Sequence, residues 1–175
     1  MNDIVLKRPS PKYKEAIESY KQAFLNAQSS MDGTGSLLQS KTALDWIEAL
    51  KQIENPRTCP EDKVPSSTYL AIRKTDHALV GIIDLRHHIN HPILSVWGGH
   101  IGYSVHPGER RKGYAKAMLG EVLEIAKNRG LKKVLITCDE DNVASLKTIE
   151  SHGGVFEKNV STDEGVIKRY WINLN

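Results

Sequence analysis

The sequence predicts a single domain, residues 1–175, of the mixed α/β (α+β) class. Three observations predict this class. Segments in which apolar residues recur every three or four positions alternate with short apolar, β-branched runs, as helices and strands of one sheet do. Two of those runs, 99–105 and 132–138, enclose an amphipathic helix, and this order indicates a crossover between parallel strands. The second run is continuously apolar, which is typical of a strand covered on both faces.

The first part of the sequence predicts one strand, two helices and a long loop. Residues 3–8 are typical of a short strand, and a helix follows with Tyr13 and Phe24 on its apolar face. A second helix spans about 42–53, with Thr42 as its predicted N-cap because the hydroxyl can accept a bond from a free N–H. Residues 55–67 contain three prolines and no periodicity, which indicates a loop.

The second part contains most of the predicted strands. Two extended runs, 67–74 and 79–89, flank a four-residue turn and indicate a hairpin. The apolar pattern over 114–129 is the most regular in the chain, and Gly130 is the predicted stop of that helix. The remaining predicted elements are a helix that begins at Asp141 or Asn142 and ends at the glycines 153 and 154, and strands over 154–158 and 166–174.

Composition excludes several classes of protein. The 24 basic residues exceed the 21 acidic ones only slightly, whereas a nucleic-acid-binding protein usually covers a whole face with Lys and Arg. No apolar run approaches the roughly 20 residues that cross a bilayer, and the N-terminus lacks the apolar stretch of a signal peptide. We therefore expect a cytoplasmic protein that binds neither nucleic acid nor membrane. Cys59 and Cys138 are too few for a disulfide framework.

The segment from Val105 to Met118, VHPGERRKGYAKAM, has the character of a phosphate-binding turn. It lies where a predicted strand passes into the most regular helix. The start of a helix presents unpaired N–H groups and a partial positive charge, which suit a phosphate or pyrophosphate. Gly113 leaves room for such a group to approach the main chain.

Two motifs in these segments resemble those of a known family. Arg110, Gly113 and Ala115 match the pattern Gln/Arg-x-x-Gly-x-Gly/Ala, the acetyl-CoA-binding signature of the GNAT family of N-acetyltransferases. Asn142 and Ser145 match its second cofactor motif, Asn-x-x-Ala/Ser, with Gly153 eleven residues after the asparagine. More narrowly, a bacterial subgroup known mainly as predicted acetyltransferases is similar in four runs, residues 85–90, 98–119, 135–145 and 149–154.

The resemblance implies a fold and a cofactor. The fold is a mixed, mostly antiparallel central sheet of about six to seven strands, with helices on both faces and a splayed parallel pair formed by the fourth and fifth strands. The cofactor is acetyl-CoA, used as a co-substrate without a metal. Its pyrophosphate would bind the main chain of residues 111–116, and its pantetheine arm the strand that ends at Val105. The implied cofactor-binding residues are Tyr103, Ser104, Val105, Arg110, Arg111, Lys112, Gly113, Tyr114, Ala115, Lys116, Asn142 and Ser145.

The resemblance also implies direct transfer of an acetyl group to a primary amine of a small molecule or a peptide. Many members protonate the departing thiolate with a tyrosine seven residues after the motif asparagine, a position that Ile149 occupies here. Ser145, a water molecule or Tyr170 is then the candidate acid. The same departure leaves open a non-catalytic acyl-CoA sensor or interaction module.

The remaining candidates concern the acceptor. His100 lies where several relatives place a base, and the alternative is a partly buried histidine bonded to main chain. Arg86, His87, His88 and Trp97 are the candidate acceptor-binding residues. Because neighbours on a strand point to opposite faces, the histidines at 87 and 88 do not predict a metal site. The expected partners are acetyl-CoA, an amine acceptor and, as in many family members, a second copy in a homodimer.

Overall fold

A computed structural model describes residues 3–175 and contains the predicted elements in the predicted order. Three short helical turns, at Pro11–Tyr13, Leu94–Gly98 and Pro107–Glu109, connect them. The strands and helices are β1 (Ile4–Lys7), α1 (Lys14–Ala27), α2 (Ala43–Glu54), β2 (Ser66–Arg73), β3 (Leu79–Arg86), β4 (Ile101–Val105), α3 (Tyr114–Asn128), β5 (Lys133–Asp139), α4 (Val143–Ser151), β6 (Val155–Thr162) and β7 (Gly165–Asn173).

The seven strands form two antiparallel sheets, with strand orders β1-β2-β3-β4 and β5-β7-β6. The helix α3 joins β4 to β5, but no ladder pairs these two strands within residues 3–175. They meet at His100, whose N–H donates to the carbonyl of Leu135 at 2.8 Å. The mixed fold and the splayed fourth and fifth strands are confirmed, and the crossover spans a gap instead of a paired ladder.

Helices cover both faces of the four-stranded sheet because successive side chains of a strand point to opposite sides. Leu70 and Ile82 belong to an apolar cluster with side chains of α1 and α2, including the fully buried Trp46. Their neighbours Ala71 and Ile83 belong to a second cluster with α3. The strand β3 is therefore apolar along most of its length, and β2 is apolar from Tyr69 to Ile72.

The helix ends follow the capping residues of the sequence. Thr42 accepts a bond from the N–H of Asp45 at 3.1 Å, which confirms its predicted role. At α4 the cap is Asn142, whose Oδ1 accepts from the N–H of Ser145, also at 3.1 Å. The helix α3 ends before Gly130, which takes a φ of 99°. A glycine adopts this left-handed conformation without steric cost.

Two predicted strand boundaries are wrong, and pairing explains both. The strand predicted over 79–89 ends at Arg86, and the N–H of His87 donates to the carbonyl of Pro65 outside the sheet. The strand predicted over 154–158 continues to Thr162, because β7 supplies a partner as far as Gly165. Strand length here follows the partner strand more than the local sequence.

Candidate active site

A cleft of about 550 Å³ opens between β4, the start of α3 and the first turns of α4. The turn after α1 closes one side of it. The residues that line the cleft are Phe24, Ser29, Ser30, Tyr103, Ser104, Val105, Glu109, Arg110, Arg111, Gly113, Tyr114, Ala115, Lys116, Asn142, Ala144, Ser145 and Thr148. All the residues implied as cofactor-binding are among them except Lys112, which lines a neighbouring groove and donates to Glu109 at 2.9 Å.

The turn that leads into α3 has the geometry of an anion site. Arg111 and Gly113 take positive φ values of 64° and 87°, so the chain reverses direction immediately before the helix. No side chain caps the helix start, and the first N–H groups of a helix have no acceptor within it. A Cβ added at Gly113 would meet no atom within 4 Å, because this position faces open space.

Charged contacts hold this turn from two sides. Arg73, at the end of β2, donates to Glu109 Oε2 at 2.6 Å and to the Tyr114 hydroxyl at 3.2 Å. Hydrogen bonds from Arg73 and then from Lys112 lower the pKa of Glu109. Glu109 is therefore ionised and bonded, so its charge at the edge of the cleft is balanced.

The side chain of Arg110 turns away from the helix start and back to α1. Its guanidinium donates to Ser29 Oγ at 2.9 Å and lies 5.7 Å from the centre of the Phe24 ring. The sequence motif identified Arg110, but it gave no reason to expect Phe24, Ser29 or Ser30 at the same cleft. These residues follow from the packing of α1 against the turn.

The free edge of β4 faces the gap between the two sheets. The N–H of Arg86 donates to the carbonyl of His100, and the N–H of His106 donates to the carbonyl of Val80. Because main-chain groups of a strand alternate between its two edges, these bonds place the N–H and C=O groups of Tyr103 and Val105 on the opposite edge. That edge can accept an extended ligand as an additional strand.

Two hydroxyl groups meet across the gap. The Tyr103 hydroxyl, on β4, donates to Ser145 Oγ, on α4, at 3.1 Å. Burial raises the pKa of Tyr103. On the other face of β4, Ser104 is buried, with its Oγ 2.8 Å from the Tyr20 hydroxyl. The side chain of Ser104 thus supports the strand, whereas that of Tyr103 reaches the cleft.

His100 is not among the residues that line the cleft. The residue is 5% exposed, and its Nδ1 accepts a hydrogen bond from the N–H of Leu135 at 2.9 Å. Burial, and then the charge of Arg86, lower the pKa of His100 to about 4. The structure therefore shows the alternative considered for this residue, a buried neutral histidine bonded to main chain. Its ring joins the two sheets at the point where they meet.

The lowered pKa of His100 makes the stability of the protein depend on pH. The pKa of His87 is also lowered to about 4, first by burial and then by the charge of Arg129. Since both rings bind protons more readily in the unfolded chain, the free energy of unfolding should fall as the pH drops from about 6.5 to about 4. The slope should reach at most about 1.4 kcal/mol per pH unit for each ring. Urea unfolding across this range measures it.

The variant His100→Asn keeps a hydrogen-bond acceptor and removes the titrating ring. It should lower the free energy of unfolding at neutral pH and flatten the slope between about pH 6.5 and about pH 4. A variant with the same slope as the parent protein would contradict the assigned environment of His100.

Tyr170 also lies outside the cleft lining. Its ring is buried in the core and contacts the edge of Phe156, with ring centres 5.6 Å apart. Burial raises the pKa of Tyr170. Among the candidate acids named from the sequence, the structure places Ser145 in the cleft and Tyr170 in the core.

None of the four candidate acceptor-binding residues lines the cleft. Arg86 donates to the carbonyls of Gly98 and Gly99 at 3.2 and 3.0 Å. His87 lies between Ser67 and Arg129, and His88 Nδ1 accepts from the N–H of Asn90. Trp97 is 43% exposed on the short turn before β4. The structure therefore brings none of these four residues into the cleft lining.

Within residues 3–175 no group of three or more His, Cys, Asp or Glu side chains is placed to hold a metal ion. Of the helices described, none has both the length and the hydropathy that crossing a membrane requires. Cys59 and Cys138 are both free thiols.

A split sheet beside an uncapped helix start is what the resemblance to N-acetyltransferases implies. The model of the acetyltransferase (GNAT) family matches residues 37–153, which is more than half of the chain. The chain therefore belongs to the GNAT family of acetyltransferases. No curated protein matches it by sequence.

Solved structures share its fold. An acetyltransferase from Salmonella typhimurium that modifies the N-terminal serine of ribosomal protein L7/L12 has a TM-score of 0.69 and 15% identity, covering 100% of this chain and 97% of the other. Spermidine N-acetyltransferase from Vibrio cholerae, a dodecamer, has a TM-score of 0.67 and 16% identity over 98% and 94%. The microcin C7 self-immunity acetyltransferase, solved with acetyl-CoA and AMP, has a TM-score of 0.66 and 19% identity over 99% and 93%.

Proposed function

We propose that this protein transfers the acetyl group of acetyl-CoA directly to a primary amine of a small molecule or a peptide, without an acyl-enzyme. The observation that carries the proposal is that the helix-start turn, the free edge of β4 and Ser145 all face one cleft. Each would serve a different part of the same cofactor.

The phosphate end of the cofactor would bind at the start of α3. The N–H groups of residues 111–116 would bind the pyrophosphate, and the partial charge of the helix terminus adds to this attraction. Arg111 and Lys116 line the same end of the cleft and bring positive charge close to the phosphates. This arrangement supports a role for the basic cluster in binding the cofactor instead of nucleic acid.

The pantetheine arm and the thioester would follow β4. The outward N–H and C=O groups of Tyr103 and Val105 would pair with the pantetheine amides and polarise the thioester carbonyl. Ser145 is the candidate donor to the sulfur, since it is the candidate acid that lines the cleft. Alignment of amine and thioester in this site would supply much of the rate, and the amine would lose its proton to water. Homodimer formation and a cytoplasmic location stay predictions.

The test is the release of free thiol from acetyl-CoA with a panel of primary amines that includes polyamines, amino acids and peptides with free N-termini. At least one amine should accelerate release over the rate in its absence. Ser145→Ala should then lower kcat about 100-fold, the usual size of a general-acid contribution, with little change in acetyl-CoA affinity. Calorimetric binding of acetyl-CoA without turnover on any amine would favour the sensor instead.

A further inference from the structure

A serine hydroxyl alone is a weak acid, and the structure supplies it with a partner. Ser145 Oγ accepts a hydrogen bond from the Tyr103 hydroxyl at 3.1 Å, across 42 positions of sequence and across the gap between the sheets. Asn142 fixes the main chain of Ser145 through the bond to its N–H. Since one lone pair of Ser145 Oγ is used by the phenol, its own hydrogen is free to point into the cleft.

Tyr103 and Ser145 lie at the level of β4 where the reacting end of the cofactor would lie. The strand runs towards the phosphate turn, so Val105 lies next to the turn and Tyr103 lies two residues further from it. A cofactor bound by its pyrophosphate at α3 and extended along β4 would bring its thioester to the level of Tyr103 and Ser145. The family position for the acid is occupied by Ile149, which has no hydroxyl and is fully buried in the core.

We propose that Tyr103 supplies the proton for the departing coenzyme A thiolate, acting through the Ser145 hydroxyl. The inference rests on the proposed acetyl transfer and names the source of the proton in that reaction. Ser145 is the catalytic residue in this scheme because it touches the sulfur, and Tyr103 is a positioning residue that makes Ser145 an effective acid.

The amine nitrogen attacks the carbonyl carbon of acetyl-CoA, so the C–N bond forms and the C–S bond breaks with its electron pair on sulfur. The sulfur takes the proton of the Ser145 hydroxyl, and Ser145 Oγ takes the proton of the Tyr103 hydroxyl. The Tyr103 phenolate then takes a proton from water. Water in turn receives the proton that the amine nitrogen loses. The net acid is thus a phenol, a class of acid far stronger than an alcohol, although burial raises the pKa of this one.

The burial of Tyr103 favours the protonated phenol that this proton transfer needs at its start. It raises the pKa of Tyr103, so the phenol carries its proton at neutral pH. The bond from Tyr103 also orients Ser145 before the cofactor binds. A fixed donor costs no reorganisation when negative charge develops on the sulfur.

The experiment titrates the thiol of bound coenzyme A, which needs no acceptor amine. The rate of alkylation by iodoacetamide is followed against pH for coenzyme A bound to the parent protein, Tyr103→Phe, Ser145→Ala and the double variant. Loss of the Ser145 hydroxyl should raise the pKa of the bound thiol by about one unit, because it removes the donor to the thiolate. Loss of the Tyr103 hydroxyl should shift this pKa in the same direction, because Ser145 then donates more weakly. The double variant should shift it no further than Ser145→Ala alone, since Tyr103 acts through Ser145.

A matched control is Tyr13→Phe, which removes a phenol at the start of α1 outside the cleft lining and should leave the thiol unchanged. Calorimetry of coenzyme A with each variant checks that the cleft is intact. An unchanged pKa in Tyr103→Phe, or shifts that add in the double variant, would overturn the proposal. Those results would leave amine turnover in the parent protein untouched and would overturn this proposal alone. Absence of turnover with every amine would overturn the proposed function and, with it, the role of this proton in the transfer.

Discussion

Replacing Gly113 with valine should abolish useful binding of acetyl-CoA. Gly113 has a φ of 87°, where a residue with a Cβ is strained by ~1–2 kcal/mol. A Cβ added at Gly113 would point into open space beside the helix start, where the pyrophosphate would lie. A branched side chain there would occupy that space or force the turn to rotate its N–H groups away. We expect the dissociation constant measured by calorimetry to rise by about 100-fold or more, which is ~2.7 kcal/mol.

Gly130→Val is the matched control for this variant. Gly130 also has a positive φ, of 99°, and its Cβ would also meet no atom within 4 Å, but it lies at the other end of α3. The two variants share the backbone strain and differ in their distance from the cleft. Gly130→Val should lower stability and retain acetyl-CoA affinity. If both variants bind acetyl-CoA as the parent protein does, the phosphate-binding role of the turn is refuted.

Replacing Gly99 with alanine should destabilise the protein by ~3 kcal/mol or more. Gly99 combines a φ of 71° with a ψ of −173°, a region that is essentially restricted to glycine. An added Cβ would lie 2.8 Å from the carbonyl oxygen of Leu135, which accepts the bond from His100. The substitution would therefore push apart the two sheets where they meet. Thermal unfolding should show a Tm lower by roughly 6–12 °C.

Gly98→Ala tests whether this effect belongs to the contact between the sheets. A Cβ at Gly98 would approach Leu94 Cδ2, the end of a flexible side chain that can move. Gly98 also lacks a positive φ. We therefore expect a small change in Tm for Gly98→Ala. Equal losses in the two variants would show that the contact with Leu135 is not the cause.

Local patterns were sufficient for most of the fold. The helix α3 appears within one residue of its predicted end because its apolar positions and Gly130 specify it without help from distant residues. The caps at Thr42 and Asn142 are also local, since a cap bonds the residue three positions later. Strand ends were less accurate, because β6 extends as far as β7 pairs with it.

The residues of the candidate site also divide into those that short motifs predict and those whose surroundings only the packing decides. Arg110, Gly113 and Ser145 lie in short motifs, and each lines the cleft. For His100 and Tyr170 the side-chain chemistry and the expected place on a strand predict a role in catalysis, but the structure buries both. A histidine whose ring accepts a main-chain N–H cannot be distinguished from a base by residue type alone.

Sequence alone specifies the element order, the helix-start turn and the two cofactor motifs, because each depends on residues within one or two turns of one another. Tertiary structure decides how the sheet is divided and which side chains share the cleft. The bond from Arg110 to Ser29 joins residues 81 positions apart, and the bond from Tyr103 to Ser145 joins residues 42 apart. Such contacts arise only when the two sheets and α1 are packed, since local spacing carries no information about which distant groups will meet.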